Sequence, residues 1–257
     1  MILSDNNKTK AIWNKLATWW DEAAQDGDLY HRTFLFPTIM KWVDAKKGMR
    51  ILDMGCGNGS LSRLFAKAGA SVVAVDFSEV FIQLAKERSK DLNIDYRVID
   101  ATDNEQLKSL IDVEKFDYVV SSMVLHDMPT IEPLITSLHA LLKPTGAFIF
   151  SVPHPCFNSG LVEINQLREN MNQKKLLLPN HYIKSKEFEI CSKPDQPIKQ
   201  ICFHRPLSEL FNTLFSASFV MNAFIEPIAK PGELPDDYLW AQLPEIPPAI
   251  ICRFVMK

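Results

Sequence analysis

An α/β fold around a parallel sheet is predicted for this 257-residue chain, and three features carry the prediction. Short apolar runs rich in Val, Ile and Phe alternate with segments whose apolar residues recur at three and four positions, the periods of strands and helices. A turn with glycine at alternate positions, Gly55, Gly57 and Gly59, joins the first such run to the first helix of the alternating series. The next two runs close in an acid, Asp76 and Asp100, at what would be the carboxyl edge of a sheet. Strand, helix, strand, helix, strand in this order implies right-handed crossovers, and these make neighbouring strands parallel.

Ahead of the sheet, Ile12, Trp13, Leu16, Ala17, Trp19, Trp20 and Ala23 mark an amphipathic helix over Ala11 to Ala24. A second helix is read from Thr33 to Val43, and Gly27 to Arg32 is a polar joint between the two. The apolar run Met49, Ile51, Leu52 and Met54 is the first strand, with Asp53 facing into the turn that follows. Glycines there let the backbone take unusual dihedrals and approach a ligand, while the helix that opens next points free N–H groups at it. The spacing differs from the dinucleotide fingerprint, because Ser60 stands where its third glycine would be.

Asp53, Gly55, Cys56, Gly57 and Gly59 form D-x-G-C-G-x-G, and on these residues the chain resembles the class I S-adenosylmethionine-dependent methyltransferases. The resemblance implies a Rossmann-like sheet of seven strands in the order 3-2-1-4-5-7-6, with helices on both faces, an N-terminal helical cap and an insertion after strand five. It implies that Trp20 and Asp21, at the end of the first helix, close over the cofactor, and that Tyr30, His31 and Arg32 approach its methionine end. Arg32 suits the methionine carboxylate through its two-pronged guanidinium, and equally suits a solvated surface. Asp53, Gly55, Cys56 and Gly57 would bind the cofactor at the turn. Asp76 would accept the ribose hydroxyls and Phe77 would lie against the adenine. Asp100, followed by Ala101, would receive the adenine amino group.

The remaining elements follow the same alternation. Leu61, Leu64, Phe65 and Ala68 form a helix face ended by Gly69, and Ser71 to Val75 is a strand. Ser78 caps a helix carrying Val80, Phe81, Leu84 and Ala85, and Tyr96 to Ile99 is a third strand. Phe116 to Ser122 is the fourth, followed by Met123 to His126; the resemblance implies that Ser121 and Ser122 bind the cofactor and that the residues after the strand line the boundary between cofactor and substrate. A helix runs from Thr130 to Leu142, the Lys143 to Gly146 turn stops it, and Ala147 to Val152 is strand five. Residues 153–201 lack clear periodicity, and so long a connection inside a domain is read as a lid over the substrate. A helix starting at Pro206 and strands over Phe219 to Ile225 and Ala249 to Met256 complete the sheet. The organisation is thus a cap over 1–48, a cofactor-binding core over 49–152, an insertion over 153–201 and a completing helix and strands over 202–257.

A net charge of −3 with no basic stripe disfavours nucleic acid as a partner. No run reaches the length of a membrane span, and the five cysteines lack C-x-x-C spacing, so the expectation is a soluble, cytoplasmic protein with reduced thiols. The Asn- or Asp-Pro-Pro-Tyr motif of enzymes that methylate base or glutamine amines is absent, and a small-molecule acceptor is expected. Histidine is the natural base to seek, and His154 and His126 follow strands five and four at the carboxyl edge. His204 is a further candidate, while His139 falls inside a helix. Asp127 has no visible acidic companion, so no metal is expected. The reading is methyl transfer to O or N of a small metabolite, possibly in specialised metabolism. A C-methyltransferase, a non-methylating enzyme of the same fold and a non-catalytic binding subunit stand as alternatives.

Overall fold

The computed structural model describes residues 6–111, 114–158 and 182–257. Seven strands form one sheet: β1 (Arg50–Met54), β2 (Ser71–Asp76), β3 (Ile94–Val98), β4 (Phe116–Ser122), β5 (Leu142–Pro153), β8 (Phe219–Ile225) and β9 (Ala249–Met256). The order is β3-β2-β1-β4-β5-β9-β8, which is the expected 3-2-1-4-5-7-6 once the hairpin strands β6 (Lys186–Ile190) and β7 (Gln200–His204) are counted along the chain. β1 to β5 pair in parallel, and β9 runs antiparallel between β5 and β8.

Alternation along the strands divides the core. Leu52, Val73, Val119, Phe148 and Phe254 point to one face, where α5 (Asn104–Lys108), α6 (Glu132–Leu141) and α7 (Leu207–Ser216) cover them. Ile51, Val72, Val120, Ile149 and Ile251 point to the other, under α2 (Phe36–Val43), α3 (Ser60–Lys67) and α4 (Glu79–Arg88). Full burial of one such side chain stabilises by roughly 1.5–3 kcal/mol, so a one-residue slip in any central strand would be costly.

Helix ends follow local chemistry. Ser78 Oγ accepts the Phe81 N–H at 3.2 Å to start α4, and Asp103 accepts two amides to start α5. The first helix, α1 (Asn6–Ala24), begins earlier than its apolar pattern indicated and buries Thr9, Leu16, Ala17 and Asp21 rather than its tryptophans. The helix expected over Thr33 to Val43 is a π-helical turn over His31–Leu35 followed by α2.

Two further expectations are corrected. The Lys143 to Gly146 turn lies inside β5, because Leu142 already pairs with Phe116 before the register resumes at Tyr118 and Ala147. A Cβ on Gly146 would stand 3.0 Å from the carbonyls of Phe116, Asp117 and Lys143, so glycine permits the chain to fold back against β4 there. The insertion contains regular structure: β6 and β7 form an antiparallel hairpin, from Lys186 opposite His204 to Ile190 opposite Gln200. Its alternation was hidden by the charged residues of Lys-Glu-Phe-Glu-Ile, and β7 continues past the expected boundary at 201. The rest of the expected lid, residues 159–181, lies outside the described residues, as do residues 1–5 of the cap.

Candidate active site

The glycine turn is held by its own backbone and by the end of β2. Gly55 and Cys56 donate to Val75 O at 2.8 and 2.9 Å, and Gly57 N–H donates to Asp76 Oδ2 at 2.9 Å. Gly55 has φ +73° and is packed so tightly that a Cβ would collide with Val124. Gly57 differs. Its φ is +53° and nothing lies within 4 Å of where a Cβ would stand, because that position opens into a cavity.

This cavity, about 230 Å³, is lined by Trp20, Asp53, Gly55, Cys56, Gly57, Asp76, Phe77, Asp100, Ala101 and Ser122 of the residues singled out in the sequence. Burial pushes the Asp53 and Asp76 carboxyls up to about 6. It does so for Asp76 although Gly57 and Ser78 donate N–H bonds to it. Burial also pushes the Cys56 thiol up, so it is a packing group there and not a nucleophile. Asp100 is already engaged: Asn6 Nδ2 donates to it at 2.5 Å, and Thr102 donates its N–H and hydroxyl at 2.8 and 2.7 Å.

A second cavity, about 210 Å³, lies under the hairpin and is walled by Tyr30, Phe188, Phe203, Tyr238, Leu239 and Trp240. Tyr238 to Trp240 come from the proline-rich connection between β8 and β9, which thus supplies one wall of this cavity. Five residues, Trp20, His31, Met123, His126 and Ser192, line both cavities and mark the junction between them. Met123 holds a left-handed backbone at φ +59°, with its N–H donated to Ser151 O at 2.9 Å. Such strain persists only where the surroundings enforce it, and here it turns the chain from β4 into the junction.

His126 sits in the single 3₁₀ turn after β4, Leu125–Asp127. Burial, then the Arg205 charge, push its pKa down to about 3, so the ring is neutral. Its Nδ1 and the indole Nε1 of Trp20 are both buried without a partner among the described residues. Arg205 is fixed nearby by donating to the carbonyls of Leu125, Met128 and Pro129 at 2.9, 2.7 and 2.9 Å.

The other candidates are placed elsewhere. His154 lines neither cavity and is 2% exposed. Its Nδ1 accepts the Cys156 N–H at 3.1 Å, which leaves Nε2 to donate to Glu226 at 2.8 Å. Burial lowers its pKa, and with both nitrogens committed it fastens the chain leaving β5 away from both cavities. His204 Nε2 meets Tyr182 O at 2.7 Å, and although its ring borders the second cavity it is held by that contact. Arg32 is exposed and lines neither cavity, and Ser121 is fully buried behind the wall. Asp21 binds protein instead of ligand: it pairs with Arg88 and accepts from Asn58 at 3.0 Å, pinning α1 to α4 and to the glycine turn.

Sequence reasoning passed over Trp13, Asn58, Met128, Ser192, Lys193 and Gln200. Trp13 packs at a tilt between Trp20 and Phe81, with ring centroids 6.1 and 6.0 Å away, and in the sequence it was only one of the apolar positions of the first helix. Lys193, in the hairpin loop, pairs with Asp28 and stands 4.7 Å from the Trp20 ring centroid, closing the hairpin onto the N-terminal joint. Asp28 also accepts from the His31 ring at 2.7 Å.

A glycine turn held by the next strand's acid, beside a second cavity at the carboxyl edge of a 3-2-1-4-5-7-6 type sheet, defines the class I S-adenosylmethionine-dependent methyltransferase fold. The profile of the methyltransferase-domain family matches residues 45–204, and the chain belongs to that family. Its sequence is 34% identical over 141 residues to a ubiquinone biosynthesis O-methyltransferase of Actinobacillus pleuropneumoniae serotype 5b, covering 52% of this chain and 59% of that protein. It is 34% identical over 173 residues to the protein of the same name from Coxiella burnetii strain RSA 331, covering 64% and 70%. The chain thus spans somewhat over half of the first of these relatives. An S-adenosylmethionine-dependent methyltransferase from Mesorhizobium loti superposes with a TM-score of 0.66 at 22% identity, over 89% of this chain and 98% of that one. Magnesium protoporphyrin IX methyltransferase from Synechocystis PCC 6803, with bound S-adenosylhomocysteine, gives 0.51 at 16% identity, over 86% and 81%. These last two are likenesses of fold.

Proposed function

We propose that this chain is an S-adenosylmethionine-dependent methyltransferase that moves the methyl group to oxygen or nitrogen of a small, partly apolar molecule. The observation that carries the reading is the meeting of two cavities, one at the glycine turn and one walled by aromatic side chains, across Trp20, His31, Met123, His126 and Ser192. The cofactor's fit is supported by the open space beside Gly57 and by the buried indole Nε1 of Trp20, which has no partner among the described residues. Asp76 keeps acceptor capacity for ribose hydroxyls beyond its two backbone bonds, since each carboxylate oxygen takes more than one donor. Asp100 can receive an adenine amino group once Asn6 yields its place.

When bound, the cofactor supplies an electrophilic methyl group on its sulfonium. The protein's residues orient and enclose. Phe188, Phe203, Tyr238 and Trp240 favour a flat apolar acceptor and exclude water from the junction. Lys193 and Asp28 close the hairpin side. Neutral His126, with Asp127 and Cys202 beside it, is the polar group that meets the acceptor's reacting atom. The name of the curated relatives favours oxygen as that atom.

Calorimetric titration with S-adenosylmethionine and S-adenosylhomocysteine tests the reading. Micromolar binding is the expected result, followed by methyl transfer to phenols or other hydroxylated ring compounds. A folded sample that binds neither compound would leave the fold without this activity.

A further inference from the structure

We propose that His126, Asp127 and Cys202 form a site for a zinc-type divalent cation at the junction of the two cavities. The inference deepens the proposed function and stands apart from it in its test. The three side chains offer one nitrogen, one oxygen and one sulfur, and these atoms all lie within 4.8 Å of one another. Asp127 Oδ1 is 3.4 Å from Cys202 Sγ, and Asp127 Oδ2 is 3.6 Å from His126 Nε2. Tetrahedral zinc, with bonds of about 2.0–2.3 Å, separates its ligands by about 3.3–3.7 Å, so each carboxylate oxygen of Asp127 stands at edge length from one of the other two donors, and a modest turn of the side chains brings the three ligand atoms around one ion.

The donor set selects among metals. A thiolate with an imidazole and one carboxylate suits zinc and its chemical neighbours, while magnesium and calcium prefer all-oxygen cages. Charge points the same way. Metal binding would release to solvent the proton that the Cys202 thiol now donates to Asp127 Oδ1, and the resulting thiolate and the carboxylate would carry the two negative charges that a divalent cation cancels. Among the described residues the Asp127 carboxylate is met by Gln200, Cys202 and His126, and by no lysine or arginine. His126 Nδ1 is buried without a partner there as well.

Three protein ligands with a fourth position open is the pattern of catalytic zinc, whereas structural zinc is closed by four. His126 borders both cavities, Asp127 the first and Cys202 the second, so the open position faces the place where donor and acceptor meet. A cation there would polarise a hydroxyl or thiol of the acceptor. Gln200, 2% exposed, stands with Nε2 at 3.4 Å from both Asp127 Oδ1 and Cys202 Sγ and orients the two.

The test is titration of the full chain, stripped with a chelator, by cobalt(II) followed by zinc, with S-adenosylhomocysteine titrated separately into the same sample. One equivalent of cobalt is expected to give a thiolate-to-cobalt charge-transfer band with the intense visible bands of a tetrahedral site, and zinc should displace it. C202S should lose the charge-transfer band and D127N should weaken binding at least tenfold, both with unchanged circular dichroism. Absence of a cobalt spectrum in folded wild type, or a spectrum indifferent to both substitutions, overturns the site. If S-adenosylhomocysteine binds and cobalt does not, the metal proposal falls alone. If cobalt binds and S-adenosylhomocysteine does not, the site stands and the methyltransferase reading falls.

Discussion

The glycine turn and the corner at His126 both present polar groups at the carboxyl edge of the sheet, but they are assembled over different distances. Gly57 and Asp76 are 19 residues apart and sit at the ends of adjacent parallel strands, so pairing β1 with β2 brings them together. Asp127 and Cys202 are 75 residues apart and meet only because the hairpin folds back over the turn after β4. The backbone amides of the first region are largely satisfied inside the protein, while the second retains a buried ring nitrogen with no partner among the described residues. A region closed by its own backbone suits binding an invariant ligand. A corner built from distant side chains suits chemistry on a variable one. Substitutions in the two regions should therefore separate binding from turnover.

The largest effect is expected at Asp76. Asp76→Ala should weaken S-adenosylhomocysteine binding about 300-fold, the size of two lost hydrogen bonds to a charged group, with the fold retained. Calorimetry showing an affinity within threefold of wild type would remove Asp76 as the ribose acceptor. His126→Ala should do the reverse, lowering kcat about 100-fold while the calorimetric affinity for S-adenosylhomocysteine stays within about threefold. Equal losses in both measurements would erase the distinction between the regions.

His154→Ala should cost stability and not chemistry. Losing its bonds to Glu226 and the Cys156 amide at a buried position should lower the unfolding free energy by about 2 kcal/mol in urea, with kcat per folded molecule unchanged. A large fall in kcat at full folding would restore it as a catalytic candidate.

Asp53 gives a smaller, pH-dependent effect. Burial raises its folded-state pKa to about 6, above the ordinary carboxylate value near 4, so the folded protein binds the proton more tightly than the unfolded chain. Its contribution to stability is thus fully present at low pH and lost as pH rises through about 6. Asp53→Asn, which carries no charge at any pH, should gain stability relative to wild type between about pH 4 and 6 and hold a constant difference above. A difference that does not vary across this window in urea titrations would mean that Asp53 is not protonated more readily in the fold.

The smallest change is expected at Asn6→Ala. Its amide occupies the Asp100 carboxylate, so removing it should tighten S-adenosylhomocysteine binding by less than about threefold. Weaker binding would show that Asn6 helps the ligand instead of competing with it.

The strands from β1 to β5, the glycine turn and the acids at or just past the ends of β2 and β3 were legible because their signals are local. Period-two and period-3.6 patterns reflect which face of an element is buried, and the glycines and terminal acids lie within one strand-helix-strand unit. Arg32 and His154 show the limit of the same reasoning. Both have the right chemistry near the right strand, yet one faces solvent and the other has its ring nitrogens taken by Cys156 and Glu226. Side-chain direction and the partners that compete for a nitrogen are not encoded in spacing.

By itself the sequence determined the α/β alternation, the glycine turn and Asp76 at the end of β2, since each follows from residues within one or two elements of each other, while the placement of the last two strands came from the resemblance to the family. The tertiary structure alone decided that the insertion carries a hairpin, that His126 and not His154 meets the cavities, and that Cys202 stands beside Asp127. The physical reason is that burial and long-range contact are properties of the packed chain. A cysteine in an insertion acquires its chemistry only when folding removes it from water and sets a carboxylate within 3.4 Å of it.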